Sequence, residues 1–221
     1  MFKKILIANR GEIAVRVAET VHKMGIESVG VFSEADKHSL HVDACQSAVC
    51  IGPARAKDSY LCIEKILDVA LENDVDAIHP GYGFLSENAE FARACEEKNI
   101  VFIGPSSSTI KLMGMKDEAK KYLEESDVPI IPGYHSENIS SKCLLEEAKK
   151  IGFPILIKAA AGGGGRGLRL VRDAGEFLSV LESAKREALS GFGNDQVILE
   201  KYLTNARHIE VQIFGDTQGN V

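Results

Sequence analysis

The stretch Pro154-Ile155-Leu156-Ile157-Lys158-Ala159-Ala160-Ala161-Gly162-Gly163-Gly164-Gly165-Arg166-Gly167-Leu168-Arg169-Leu170-Val171 decides how the chain is read. The short apolar run after Pro154 reads as a strand that Lys158 closes. Small residues and glycines follow, with Arg166 among them, and Leu168 to Val171 reads as a second, alternating strand. A loop with so little side-chain bulk reaches positive φ and lies close to a ligand, offering N–H groups to phosphate oxygens. Its composition makes it costly to order, so it is expected to be mobile when empty. A strand, a lysine, a glycine loop and a returning strand suit a lid that covers phosphates.

Other readings of this stretch can be weighed. A plain flexible hairpin has the same composition. A P-loop needs Gly-Lys-Ser/Thr opening a helix, whereas Arg166-Gly167-Leu168 opens a strand. Gly162, Gly164 and Gly167 fit G-x-G-x-x-G, but a dinucleotide fold places a helix after it. A kinase-type glycine hairpin fits better, yet its lysine lies on a later strand, and here Lys158 precedes the loop. An ATP lid of another kind is the reading that remains beside the plain hairpin.

The 221 residues suffice for one large domain or two small ones. With 45% hydrophobic and 26% charged residues the chain reads as globular and soluble. A formal net charge of -6 argues against a nucleic-acid surface. An anionic ligand would need local basic groups, which Lys158, Arg166 and Arg169 supply. No apolar run is long enough to cross a membrane. The start, Met1 to Ile7, runs straight into a strand without a signal or transit pattern. Cys45, Cys50, Cys62, Cys95 and Cys143 are scattered and form no C-x-x-C, which disfavours zinc and points to a reducing, cytoplasmic setting. All five read as packing residues.

Lys4 to Ala8 reads as a buried strand, Asn9-Arg10-Gly11 as a turn, Glu12 to Met24 as a helix stopped by Gly25, and Ser28 to Phe32 as a second strand. This β-α-β order predicts a parallel sheet. A second pass gives a helix over Tyr60–Glu72, a strand over Asp76–His79, a helix over Glu87–Glu97 and a strand over Ile100–Ile103. Residues 1–105 thus read as an open α/β unit. Glu34 and Asp36 sit where a ribose-binding acid would in a dinucleotide fold, but the first turn lacks the glycine fingerprint. Arg10 and Glu12 read equally as an ion pair. His79-Pro80-Gly81-Tyr82-Gly83-Phe84-Leu85-Ser86-Glu87 lies at the C-terminal end of a strand, where open α/β sheets bind ligands, and Ser86 is placed to cap the next helix. An ordinary strand-to-helix turn, with His79 a core histidine, reads the same.

Residues 106–130 read as a helical linker carrying Lys116, which by itself is a surface lysine. Residues 131–203 read as a small α/β unit built from helix Leu144–Ile151, strand Ile155–Lys158, the glycine loop, helix Ala174–Leu189 and strand Val197–Leu203. In the last strand, backbone groups could read an adenine edge and Glu200 accept from its amino group; a salt-bridged strand end is the alternative. His208 to Phe214 alternates polar and apolar residues, which predicts a half-exposed strand, and Asp216 to Asn220 predicts a turn.

Several stretches together resemble a known family: Ile7-Ala8-Asn9-Arg10-Gly11-Glu12-Ile13-Ala14, His79 to Asn88, Gly104-Pro105, Lys158 with its glycine loop, and Glu200-Lys201-Tyr202-Leu203 with Arg207-His208. The chain resembles biotin carboxylase, the ATP-grasp component of biotin-dependent carboxylases, in unbroken order but over only the N-terminal half of that enzyme. The resemblance implies an α/β fold: a Rossmann-like, pre-ATP-grasp parallel-sheet domain over residues 1–105, an ATP-grasp lid subdomain over 131–203, and the start of the C-terminal ATP-grasp domain over 204–221. It implies that ATP phosphorylates bicarbonate to carboxyphosphate, which delivers CO2 to the ureido nitrogen of biotin.

Residue by residue, Lys116 and Lys158 look like phosphate-binding lysines. Gly162, Gly163, Gly164, Gly165, Arg166 and Gly167, closed by Leu168, look like the lid. Glu200, Lys201, Tyr202 and Leu203 look like the adenine strand, His208 like a residue near the ribose, and Tyr82, Gly83 and Phe84 like the biotin side. Implied partners are a biotin carboxyl carrier domain, a carboxyltransferase and a second copy in a homodimer of the full-length protein. Magnesium ligands, the catalytic base and the biotin-enolate arginine lie past Val221 in the family pattern. No residue here takes those roles, and the chain by itself is expected to be inactive.

The chain departs from the family at Gly114-Met115-Lys116, where Gly-Asp-Lys is common, and in having four consecutive glycines where some members have five. Two other functions stay open: another ATP-grasp ligase, such as a purine-biosynthetic carboxylase, and a non-catalytic nucleotide-binding module.

Overall fold

The structure is a computed structural model that describes residues 2–114, 116–126, 128–134, 139–160, 168–193, 195–216 and 218–221, with backbone alone at 116–118, 121, 124 and 192. The chain divides into two compact units, residues 1–122 and 123–221.

The first unit is a parallel sheet with helices between its strands. In chain order it runs β1 (Lys4–Ile7), α1 (Gly11–Lys23), β2 (Glu27–Phe32), α2 (Leu40–Ala44), β3 (Ser47–Cys50), α3 (Ile63–Glu72), β4 (Ala77–His79), α4 (Ala89–Glu97) and β5 (Val101–Phe102), followed by α5 (Ser107–Gly114) and α6 (Lys116–Glu125). The strand order is β3-β2-β1-β4-β5, and every pair is parallel. A parallel strand is covered on both faces, which is why Ile5, Leu6 and Ile7 form an unbroken apolar run and are all buried. α1 turns Ala14, Ala18 and Val21 to the sheet, and Gly25 at φ 73° ends it as the sequence predicts. The strand order reverses between β1 and β4, so the loops that leave these two strands flank the switch point of the sheet.

Three expectations for this unit change. β3 and α2 lie in a region that yields no element on sequence pattern. β3 is a four-residue edge strand with no buried member, so it lacks the apolar run that marks its neighbours. The cap of α4 is Asn88, whose Oδ1 accepts from the Phe91 N–H at 2.8 Å, rather than Ser86. Among the cysteines, Cys45 and Cys95 are buried and Cys62 is half-buried, but Cys50 is exposed and does not serve packing, and Cys143 of the second unit is exposed as well.

The second unit is an antiparallel sheet under two helices. Its elements are β6 (Gly133–Tyr134), α7 (Ser141–Ile151), β7 (Ile155–Ala159), β8 (Leu168–Val171), α8 (Phe177–Phe192) and β9 (Val197–Lys201), in the sheet order β6-β9-β7-β8. β7 alternates: Ile155, Ile157 and Ala159 are buried, and Leu156 and Lys158 are half-buried on the other face. Ile155 and Ile157 join Leu144, Phe177, Leu181 and Leu199 in one apolar cluster. β7 and β8 pair from Ile155–Val171 to Lys158–Leu168, the expected hairpin. Its tip, 161–167, and with it the expected lid from Gly162 to Gly167, lies outside the described residues.

The strand expected over His208–Phe214 is absent. Residues 203–214 have no regular structure, and Ile209, Val211, Ile213 and Phe214 are exposed. Alternation fits a strand only when a neighbour takes up its N–H and C=O groups, and no described residue does so here. The turn after it is present: the Asp216 N–H reaches Asn220 O at 3.0 Å, and the Asp216 carboxylate accepts from the Gln218 and Asn220 N–H groups.

His41 on α2 is 1% exposed, with Nε2 at 3.2 Å from Val31 O. Burial, the largest influence, holds its pKa below the ordinary 6.5; Arg10 adds to this, and Val31 O and Asp36 oppose it. Burial lowers His79 likewise. The folded state therefore resists a proton that the unfolded chain takes up near 6.5, and stability should fall as pH drops below that value. Thermal melts followed from about pH 7.5 to about 5.5 should show a falling midpoint, shallower in His41→Asn. A midpoint that stays constant or rises on acidification would contradict the burial argument.

Candidate functional site

The second unit brings together two of the residues singled out by sequence. In the β7–β9 register Leu156 faces Glu200 and Lys158 faces Ile198, so Lys158 and Glu200 are diagonal neighbours on one face of the sheet. Lys158 Nζ donates to Glu200 Oε2 in an ion pair, with side chains 28% and 11% exposed. A carboxylate this buried needs a charged partner, and the sheet geometry supplies one. The pair stands where the glycine hairpin leaves β7. A cation there, shielded from water on one side, is suited to drawing in an anionic group. Glu200, expected to accept from an adenine amino group, has one oxygen already engaged by Lys158.

The other members of the expected adenine strand divide. Lys201 Nζ donates to Gly152 O at 2.7 Å and Phe153 O at 3.1 Å, so its side chain ties the turn before β7. Its own N–H goes to Pro132 O, and the Tyr202 N–H goes to Pro154 O. Leu203 is 50% exposed, just past the end of β9. His208 is not brought to the sheet; it lies in the irregular segment with Nε2 at 3.0 Å from Glu210, both well exposed. Arg169, counted among the local cations, faces the opposite side of the sheet and pairs with Glu187 of α8 at 2.5 Å. Lys116 opens α6, with its side chain outside the described set. Among the described residues no group of three His, Cys, Asp or Glu side chains is placed to hold a metal ion.

In the first unit the loop after β4 carries Tyr82, Gly83 and Phe84. Phe84, at φ 40°, stacks on Tyr60 with centroids 5.0 Å apart and planes 14° apart. The Arg10 guanidinium lies 5.3 Å from the Tyr60 ring centre and 5.7 Å from that of Phe84. Arg10 pairs with Asp36 at 3.1 Å rather than with Glu12. Asp36 also accepts from Ser33 Oγ and Tyr60 OH, each at 2.7 Å. The acid that sequence placed at a ribose position is therefore a structural anchor. Burial alone would raise its pKa, but the bonds from Ser33, Tyr60 and Arg10 and the Arg10 charge outweigh it and hold the carboxyl below the ordinary 3.8. Burial and the bond to Asp36 push the Tyr60 phenol up to about 12. Glu12 instead accepts from the Tyr82 hydroxyl at 3.3 Å, and Tyr82 is 63% exposed. Phe84 is thus a packing residue, and Tyr82 is the part of the loop that faces outward.

Sequence reasoning missed Tyr60 and the Arg10–Asp36 pair. Their partners lie 24 and 26 residues away, beyond any local spacing rule. The aromatic at Tyr60, just before a helix, was the only available signal.

Comparison with known proteins covers nearly the whole chain. The pattern described as "Biotin carboxylase, N-terminal domain" matches residues 1–110, and "Carbamoyl-phosphate synthase L chain, ATP binding domain" matches residues 115–221. The mitochondrial methylcrotonoyl-CoA carboxylase subunit alpha of Mus musculus is 54% identical over 217 residues, which is 98% of this chain and 30% of that protein. The crystal structure of a biotin carboxylase–β-γ-ATP complex from Campylobacter jejuni matches with a TM-score of 0.90 at 46% identity, covering 100% of this chain and 49% of that one. A Hydrogenobacter thermophilus 2-oxoglutarate carboxylase biotin carboxylase domain dimer, in complex with MgADP, ADP and bicarbonate, matches with a TM-score of 0.82 at 46% identity, over 93% of this chain and 45% of that one. The chain spans between 30% and 49% of the length of these relatives.

The anchoring role of Tyr60 has a direct check. Tyr60→Phe removes a bond to Asp36 and leaves the buried Ser33 N–H, which the phenol oxygen accepts at 2.9 Å, without that partner. Denaturant melts should show a loss of about 1–3 kcal/mol. Tyr82→Phe, at an exposed position, should cost less than about 0.5 kcal/mol. Equal costs for the two variants would refute the assignment.

Proposed function

We propose that this chain, which belongs to the biotin carboxylase family and comprises its N-terminal and ATP-binding portions, binds ATP on the sheet of its second unit for the bicarbonate-dependent carboxylation of biotin. The observation that carries this reading is the Lys158–Glu200 pair on one sheet face at the root of the glycine hairpin. Phosphoryl transfer calls mainly for positioning and charge neutralisation, and a lysine fixed at the base of a phosphate-covering loop supplies both.

In this reading Lys158 and Lys116 serve the phosphates, Gly162 to Leu168 cover them, and Glu200 to Leu203 receive the adenine. His208 serves the ribose once its segment is placed against a neighbour. Tyr82 is the biotin-side residue that the loop geometry supports best, because Phe84 is committed to Tyr60 and Arg10. Magnesium accompanies the nucleotide, but no described residue set fits a magnesium site, so none is assigned. The domain division proposed is 1–105, a linker over 106–130, 131–203, and the start of a further domain over 204–221. A biotin carrier domain and a carboxyltransferase are the proposed partners, and a homodimer the proposed assembly. Five cysteines with free thiols support a reducing compartment, for which the cytosol is proposed. No helix among the described residues is long and apolar enough to cross a membrane.

The test uses the chain extended to the length of its relatives. Phosphate release should depend on both bicarbonate and biotin; release that ignores biotin would favour another ATP-grasp ligase. Lys158→Gln should weaken Mg·ATP binding by about 1.5–3 kcal/mol, roughly 10- to 150-fold, as expected for loss of a charge-assisted bond. Lys116→Gln should weaken it less, because Lys158 is held on a strand. Titration calorimetry measures both, and unchanged affinity in Lys158→Gln would reject the site.

A further inference from the structure

We propose that Asn9, at the end of β1, is a positioning residue that sets the loop presenting Tyr82 and thereby acts on biotin rather than on ATP. The proposal rests on the reading of Tyr82 as a biotin-side residue.

Asn9 is 3% exposed. Its Nδ2 donates to Pro80 O at 2.8 Å and to Tyr82 O at 2.9 Å, and its Oδ1 accepts from the Arg10 N–H at 2.9 Å. One side-chain amide thus uses both its donor hydrogens on the loop after β4 and its acceptor on its own strand end. Only an amide of this length satisfies all three, since two carbonyl oxygens demand two donors. The fit is close. Gly81 sits at φ 65°, and a Cβ built there would lie 2.6 Å from Asn9 Nδ2.

Further bonds fix the same loop. The Gly81 N–H donates to His79 Nδ1 at 3.0 Å, and the Ser86 N–H donates to Gly83 O at 2.9 Å. Arg10, the residue after Asn9, covers the Phe84 ring and is held in turn by Asp36. The backbone on both sides of Tyr82 is therefore tied to the end of β1, while Tyr82 itself stays 63% exposed. A fixed backbone beneath an outward-facing aromatic is the arrangement that presents a side chain to a ligand at low entropic cost. Asn9 does not itself reach the outside. It acts through the two carbonyls that bracket Gly81.

The substitution Asn9→Asp keeps the shape but sets a carboxylate against two carbonyl oxygens that had received hydrogen bonds. Asn9→Ser keeps one donor and no charge. Both are compared with Tyr82→Ala and with the double variant Asn9→Asp/Tyr82→Ala, in the chain extended to the length of its relatives with free biotin as substrate. Asn9→Asp should raise the KM for biotin about tenfold, the worth of one lost hydrogen bond, and Asn9→Ser should fall between it and the parent. The KM for ATP should stay within about twofold in all of them, which a general loss of folding would not spare. In the Tyr82→Ala background, Asn9→Asp should add less than about twofold, because residues that act through one another are not additive. An Asn9→Asp effect of the same size with and without Tyr82, a parallel rise in the KM for ATP, or an unchanged KM for biotin overturns the proposal. If Asn9→Asp does not fold, Asn9→Ser carries the same comparison. Should Tyr82→Ala itself leave the KM for biotin unchanged, the reading of Tyr82 fails, and the positioning role with it. A raised KM in Tyr82→Ala alone rejects Asn9 and keeps Tyr82.

Discussion

The ion pair between Lys158 and Glu200 is the constraint on which the second unit depends. A carboxylate that is nearly buried within a sheet would cost several kcal/mol without a partner. The register between β7 and β9 resolves this by placing a lysine diagonally beside it. Slipping that register by one residue would send the two charges to opposite faces and the apolar residues with them, so the pair and the core enforce the same alignment. The same register fixes where the hairpin starts. In the proposed function, an incoming phosphate would share a lysine that Glu200 orients. Preorganisation of this kind limits the reorganisation that charge transfer would otherwise require.

The first unit solves a related problem with polar groups at the switch point of its sheet. The loops after β1 and β4 meet there, and the glycine-flanked backbone around Tyr82 needs support beyond the packing of Phe84 and Leu85. Asn9 and Arg10 supply it from the neighbouring strand end, one by hydrogen bonds to carbonyls and one by lying over Phe84. Asp36 and Tyr60 complete the anchor from the loops beyond β2 and before α3. Each of these groups is close to fully satisfied, which is what a buried polar cluster needs in order to stabilise a loop.

Much of this architecture was legible in the sequence, for reasons that differ by element. β1, β2 and β7 are short apolar runs bounded by turns, and buried strands leave that mark. The β7–β8 hairpin followed from glycines next to a charged strand end. β3 was not legible because it is a half-exposed edge with exposed residues at Ser47 and Cys50. The strand expected over 208–214 failed for the opposite reason: the alternation is present, but pairing is a property of the neighbour as well as of the segment. At the candidate site, sequence pattern grouped Arg10 with Glu12, whereas the fold gives Arg10 to Asp36 and Glu12 to Tyr82. Contacts across 26 or 70 residues carry no local signature. The part of Lys201 was likewise hidden, since its ammonium serves backbone carbonyls at Gly152 and Phe153 that no spacing rule connects to it.

The central claim is that nucleotide is received on the β7–β9 face beside Lys158. Amide and side-chain NMR of the chain extended to its relatives' length, titrated with a non-hydrolysable ATP analogue and magnesium, tests it most directly. The account predicts the first and largest shifts at Lys158, along Val197 to Leu203, and in the segment from Ala160 to Leu168. Shifts confined to the Asn9–Glu12 and Pro80–Phe84 loops, with β7 and β9 unmoved, would contradict it.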